Sequence, residues 1–399
     1  MNNWQKVKLK DVVSILGDGL HGTPTYDDSG EYFFINGNNL FSGKIKIKAD
    51  TKRINANEYL KYKKELNDRT LLVSINGTIG NVATYRGEKC ILGKSACYFN
   101  ILPEVCKGYI YYILLHDDFQ NYAKNWAAGT TIKNVSLKQM REYEFLLPSF
   151  EKQQQIVQIL SSLDDKIELN AQINHNLEEQ AKAIFKSWFV DFEPFKDGKF
   201  VDSEFGKIPE GWQIGKLSDI ANVTMGQSPK GDTYNEEAQG TVFYQGRAEF
   251  SDRFPQRRLF TTDPKRMAVT GDVLLSVRAP VGDMNIANEN CCIGRGLAAI
   301  HAKDGCLSFV FYTMNSIRGE LNKYNGEGTV FGCINKDALN AQKVILPPMK
   351  VVYDFEKIVA PLDRLYLIGV EENVRLAALR DTLLPKLMSG EIDVSEVTV

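Results

Sequence analysis

The chain has 399 residues, of which 43% are hydrophobic and 25% charged, with a formal net charge of −2. That length predicts two or three domains, and the composition is that of an ordinary globular protein. No run of about 18 apolar residues offers a membrane span.

The N-terminal stretch Met1 to Val13 alternates lysines with apolar residues and has no apolar core, so no export signal is expected. A cytoplasmic location and free thiols for the seven cysteines follow as expectations. None of the cysteines forms a C-x-x-C pair, and His21, His116, His175 and His301 are scattered, so no metal site is expected. The charge is uneven. Residues 1–150 carry 20 Lys+Arg against 15 Asp+Glu, residues 205–348 carry 16 against 15, and the other segments are acidic. The two long segments are therefore the ones compatible with nucleic-acid contact.

In chain order, residues 1–150 read as a mostly-β lobe. Glu31–Ile35 and Thr70–Ile75 are short, β-branched or aromatic runs bracketed by Gly and Asn. A helix is predicted over 108–126 from the spacing of its aliphatic and aromatic residues. Residues 151–192 predict one long helix. One heptad series runs Ile156, Leu163, Asn170, Leu177, Ile184, and a second runs Leu160, Ile167, Asn174, Ala181, Trp188. From 156 to 188 such a helix spans roughly 50 Å. Residues 193–211, with their Pro, Gly and acidic residues, predict a linker. Residues 212–348 read as a second mostly-β lobe, with strands at Val242–Tyr244 and Val273–Val277 and a helix over 306–323. Residues 349–399 predict a second long helix. Its seam runs Phe355, Leu362, Gly369, Leu376, Leu383, alongside Val359, Tyr366, Asn373, Arg380, Leu387.

The second half repeats the first. Trp4-Gln-Lys-Val-Lys-Leu-Lys-Asp11 recurs as Trp212-Gln-Ile-Gly-Lys-Leu-Ser-Asp219. Leu71-Leu-Val-Ser74 recurs as Val273-Leu-Leu-Ser276, and Leu163-Asp164 as Leu362-Asp363. The fold class expected is therefore α+β: two mostly-β recognition lobes alternating with two long helices that pair as an antiparallel coiled coil. Asn174 and Asn373 both fall in the seam, where a buried Asn fixes register. The competing reading is two surface helices, each packed on its own lobe.

Several stretches resemble the specificity subunits of type I restriction–modification systems. Gly19-Leu-His-Gly-Thr-Pro24, Phe34-Ile-Asn-Gly-Asn-Asn-Leu40 and Gly129-Thr-Thr-Ile-Lys-Asn134 are similar to one type of target recognition domain in that family. Ala183–Phe192 resembles the end of its central conserved helix, and Ile208-Pro-Glu-Gly-Trp212 its entry into the second recognition domain. Arg380–Ile392 resembles its C-terminal conserved region. The resemblance covers essentially the whole chain. It implies that each lobe reads one half of a bipartite, asymmetric site in double-stranded DNA. It also implies that the helices set the gap, so that half-site centres fall within about 15 base pairs. The helices would dock two methylation subunits, with restriction and motor subunits as further partners. S-adenosylmethionine and ATP would then be held by partners, and this chain would need no cofactor and catalyse nothing itself.

A search for catalytic signatures agrees. The sole Pro-Pro, Pro347-Pro348, follows a leucine and makes no amino-methyltransferase motif, and no G-x-G-x-x-G loop follows a strand. Gly87-x5-Gly93-Lys94-Ser95 is one residue too long for a P-loop, and its counterpart Ile293-Gly294-Arg295-Gly296 lacks the hydroxyl. Asp164 with Asp165, and Glu178 with Glu179, read as solvated helix faces.

Base-edge reading calls for Arg, Asn and Gln, and phosphate contact for Lys, Ser and Thr. In lobe one the candidates are His21, Thr23, Thr25, Asn36, Asn38, Asn39, Lys44, Lys46, Asn76, Thr78, Lys94, Thr130, Thr131 and Lys133. In lobe two they are Gln227, Ser228, Lys230, Gln245, Arg247, Arg253, Arg257, Arg258, Arg278 and Arg295, an Arg-rich set that points to guanines. Each has a bland alternative: His21 and the three asparagines can build turns, and Arg257 and Arg258 can pair with acids on a neighbouring loop. The expected seam residues are Leu163, Ile167, Asn174, Leu177, Ile184, Trp188, Leu362, Tyr366, Asn373, Leu376 and Leu383. Two other readings remain open. One is the specificity module of a related enzyme whose methylation and cleavage share one chain; the other is a duplicated scaffold that never binds DNA.

Overall fold

A computed structural model of the chain describes residues 4–127, 134–326 and 332–394. Its contacts divide it into two compact units, one of Met1–Leu169 with Glu372–Val399, the other of Asn170–Glu371. Each unit thus holds one lobe and one half of each long helix.

In the first unit a four-stranded sheet orders Val13–Asp18, Ala96–Ile101, Thr70–Ser74 and Val82–Thr84, all antiparallel. Thr70–Ser74 and Ala96–Ile101 are buried along their whole length because both faces of this sheet are covered. Alternate residues serve the two faces. Leu71, Val73, Cys97 and Phe99 join a core with the helices, while Leu72, Ala96 and Tyr98 join a smaller core with a second sheet. That second sheet orders Arg53–Ile54, Tyr32–Ile35 and Cys90–Leu92, the last pair parallel.

The second unit repeats the plan. Ala221–Met225, Leu297–Ala302, Val273–Ser276 and Met284–Ile286 pair in the same order. A five-stranded sheet again joins one strand, Thr241–Tyr244, in parallel to Cys291–Ile293. In both lobes the first and last strands close a two-stranded ribbon, Gln5–Lys8 with Glu144–Leu147 and Gln213–Lys216 with Lys343–Leu346.

Three expectations need correction. The predicted helix over 108–126 is two helices, Lys107–Leu115 and Asp117–Trp126. The chain breaks at His116, whose extended backbone lets its ring nitrogen cap the second helix at Asp118 N. Its counterpart likewise splits at Ile317 into Leu307–Ser316 and Arg318–Asn322. The linker is structured: Glu193–Phe195 forms a 3₁₀ turn and Phe200–Ser203 pairs with Gly206–Pro209. Its aromatic residues hold it down, with Phe192 and Phe195 packing on Trp212 at ring-centroid distances of 5.5 and 5.1 Å.

The long helices are Phe150–Phe189 and Met349–Ser389. Within each unit they pair antiparallel. In the first, Asp164 meets Arg380, Ile167 meets Asn373 and Lys166 meets Glu372. In the second, Asn174 lies against Gly369, and Phe185 and Phe189 pack on Phe355. The expected seam residues are all buried or half-buried. The helices therefore pair with each other instead of each packing only on its own lobe; within each unit both half-helices also join the lobe core, through Ile156, Leu160, Leu384 and Leu387 or through Phe185, Phe189, Phe355 and Val359.

Candidate nucleic-acid interface

In each lobe one short loop gathers three others. In lobe one it is Gly93-Lys94-Ser95. Leu20 N donates to Leu92 O at 2.7 Å, and Lys94 N donates back to Leu20 O at 3.0 Å. Gly37 N donates to Ser95 Oγ, which itself donates to Asn36 Oδ1, both at 2.9 Å. Ile75 N donates to Ser95 O, and Val135 N to Ile75 O. The rim so built exposes His21, Thr23, Asn38, Thr78 and Lys94, with Asn36 and Asn76 half-exposed.

Lobe two repeats the rim with Gly294-Arg295-Gly296. Gln227 N donates to Ile293 O, Arg295 N to Ser228 Oγ at 3.2 Å, and Gly294 N to Tyr244 O at 2.8 Å. Val277 N donates to Gly296 O, and Ile334 N to Val277 O. Gln227, Lys230, Gln245, Arg278 and Arg295 are exposed, and Ser228 is half-buried. The backbone frame is common to both rims; the side chains it carries differ.

Other candidates lie elsewhere or are committed. Asn39 is 4% exposed, and its amide donates to Lys46 O and Thr51 Oγ1, so it builds its turn and cannot reach DNA. Thr25 is exposed, and its N–H is held by Glu58. Lys44 is tied to Glu168 on the central helix, and the exposed Lys46 lies over the Phe41 ring. Thr130, Thr131 and Lys133 lie outside the described residues. His21 Nε2 sits 2.6 Å from Asp18 Oδ2, consistent with its turn-building alternative.

The Arg-rich stretch of lobe two is largely neutralised from within. Arg247 pairs with Asp283, Arg258 with the buried Glu249, and Arg257 makes a bidentate contact to Glu289 at 2.5 and 2.8 Å. The bonds to Glu289 and Glu249 push the guanidinium pKa values of Arg257 and Arg258 above their ordinary value. Arg253 is 3% exposed and cannot touch DNA. It bonds Asp363 on the C-terminal helix at 2.6 Å and lies 4.7 Å over Phe311 and 4.8 Å over Tyr366. Burial opposes its charge, but Asp363 and Tyr312 outweigh that and raise its pKa. Among the described residues, Lys94, Lys230, Arg278 and Arg295 have no carboxylate partner.

The sequence reading missed one arrangement. Asp164 does not stand on a solvated face, and its repeat counterpart Asp363 is bound by the same kinds of side chain. Each accepts a tyrosine hydroxyl from the helix of its own lobe, Tyr112 at 2.7 Å and Tyr312 at 2.9 Å, and each binds an arginine. That arginine is Arg380 of the partner helix for Asp164, but Arg253 of the lobe for Asp363. The signal was present: Leu163-Asp164 and Leu362-Asp363 were already aligned by the repeat.

The profile of a family described as the type I restriction modification DNA specificity domain matches twice, over residues 1–179 and 209–377. The chain belongs to that family. Its two matches coincide with the two copies of the repeat. The chain is 32% identical to the MjaX specificity subunit assigned to a type I restriction enzyme of Methanocaldococcus jannaschii, over 98% of this chain and 94% of that protein. It is 28% identical to the MjaIX specificity subunit of the same organism, over 82% and 78%. The S subunit of the type I restriction–modification system of M. genitalium shares the fold, with a TM-score of 0.64, 19% identity, and coverage of 97% of this chain and 96% of that one. This specificity chain has, among its described residues, no helix long and apolar enough to cross a membrane. None of its described His, Cys, Asp or Glu residues gather in threes as a metal site would need.

Proposed function

We propose that each rim reads one half of a bipartite DNA site, and that the chain supplies sequence specificity to chemistry carried out by other subunits. The observation that carries this reading is the duplicated frame with diverged tips. His21, Asn36, Asn76 and Lys94 stand on one rim where Ser228, Gln245, Arg278 and Arg295 stand on the other. Two copies of one frame with different polar chemistry suit two different half-sites.

The helices support a second role. In the first unit Leu169, Val374 and Leu379 are 47–66% exposed, and in the second Ile173, Ile358, Leu365 and Ile368 are 44–53% exposed. Large apolar side chains left open on otherwise polar helices fit protein docking, here of one methylation subunit per helix pair. Restriction and motor subunits join the same assembly in this reading. S-adenosylmethionine and ATP then bind to those partners, this chain is non-catalytic, and its place is the cytoplasm with the DNA. The long helices set the gap between half-sites.

Co-expression with the cognate methylation subunit in a methylation-free host, followed by mapping of modified adenines, tests this. The expected result is a split motif with one fixed gap. A folded complex that methylates nothing, and a chain with no salt-dependent affinity for duplex DNA, would instead favour the scaffold reading.

A further inference from the structure

We propose that Lys94 and Arg295 are the base-reading cations of the two lobes, one for each half-site, and that each reads a guanine. The inference rests on the reading above that both lobes bind DNA, and names the residues that carry specificity within it.

Both residues hold the same place in the duplicated frame, the centre of the loop to which the other rim loops are tied. Their flanks are pressed against neighbouring chain. A Cβ on Gly93 would meet Asn36 Oδ1 at 2.2 Å and Phe34 Cζ at 2.9 Å. A Cβ on Gly294 or Gly296 would meet Gln245 O at 2.8 or 2.9 Å. The backbone at these loops is therefore fixed, and the exposed Lys94 and Arg295 stand out from it. Backbone fixed before binding loses less freedom on binding, which suits a residue that must meet a base edge in register.

Commitment separates these cations from the paired arginines of lobe two, and their place on the central loop separates them from the equally unpaired Lys230 and Arg278, which stand on loops tied to it. Arg247, Arg257 and Arg258 must each give up a carboxylate before meeting DNA, and Arg253 is inside the lobe. Lys94 and Arg295 have no such bond to break among the described residues. The guanine major-groove edge offers two acceptors, O6 and N7, and an arginine or lysine is the side chain that matches them.

The test compares the adenine-methylation motif of the complex carrying wild-type chain, Lys94→Ala, Arg295→Ala or Arg257→Ala. Arg295→Ala is expected to relax a single guanine position in one half-site, with discrimination there falling roughly 5- to 150-fold. Lys94→Ala is expected to do the same in the other half-site, and Arg257→Ala to leave the motif unchanged. A uniform fall in methylation with an intact motif would mark a phosphate contact and overturn the inference, as would an unchanged motif. Arg295→Gln and Lys94→Gln keep most of each side chain but remove its charge. If an alanine variant fails to assemble, they decide the matter by the same two outcomes. A wild-type complex without a split motif defeats the proposed function itself. An intact wild-type motif that the variants fail to move defeats only this inference.

Discussion

At the residue scale the structure sorts the arginines of lobe two by what already holds them. Arg253, with its side chain 2% exposed, and Asp363 form a buried pair, and breaking such a pair leaves an uncompensated charge inside the protein. Arg253→Ala should therefore cost about 3–5 kcal/mol in full-chain denaturant unfolding. Arg257→Ala, at a pair whose arginine is 63% exposed, should cost under about 1 kcal/mol. Equal losses would contradict the assignment. The sequence showed all these arginines as one basic stretch. It could not separate them, because the partners Asp283, Glu289 and Asp363 lie between 32 and 110 residues away. The cysteines divide in the same manner. Burial pushes the Cys90 and Cys291 thiols up to about 12 and Cys306 up to about 11, whereas Cys333 is exposed. Pulse alkylation read by mass spectrometry should label Cys333 well before Cys90 or Cys291. Equal labelling would show that the lobe cores open on the labelling timescale.

At the element scale the long helices were the most legible feature, because a heptad seam repeats often enough to stand out against any single substitution. The strands Thr70–Ser74 and Val273–Ser276 were legible for a different reason: both faces are covered, so they read as unbroken apolar runs. The break at His116 was not legible. Aliphatic spacing continues across it, and only the extended backbone and the cap on Asp118 reveal it. The seam carries a matched pair in Asn174 and Gly369, since a Cβ at Gly369 would lie 2.6 Å from Asn174 Oδ1. Asn174 is 6% exposed, and its buried Oδ1 has no hydrogen-bond partner among the described residues. Gly369→Ala alone should destabilise the chain, even though alanine favours a helix by about 1 kcal/mol. In an Asn174→Ala background the same change should stabilise it by roughly that amount. Thermal unfolding of the four chains completes this double-mutant cycle, and additive effects would show that the two residues do not meet.

On the scale of the whole molecule the duplication governs everything. In the sequence alone it aligns Trp4 with Trp212 and Asp164 with Asp363, and it makes Lys94 the counterpart of Arg295 at a sequence that almost imitates a phosphate-binding loop. What the repeat could not show was which polar residues of each loop face outward. Asn39 and Arg253 belong to loops of the right composition, yet they hold those loops together from inside. Loop tips and loop anchors use the same residue types, and only burial tells them apart.

The central claim, that each lobe reads its own half-site on a common frame, has one direct measurement. A chain in which a second copy of lobe one replaces residues 212–348 would be assembled with the methylation subunit, and its modified adenines mapped. The account predicts a split motif in which both halves are the half read by lobe one. An assembled complex that still methylates the original two different halves would contradict it.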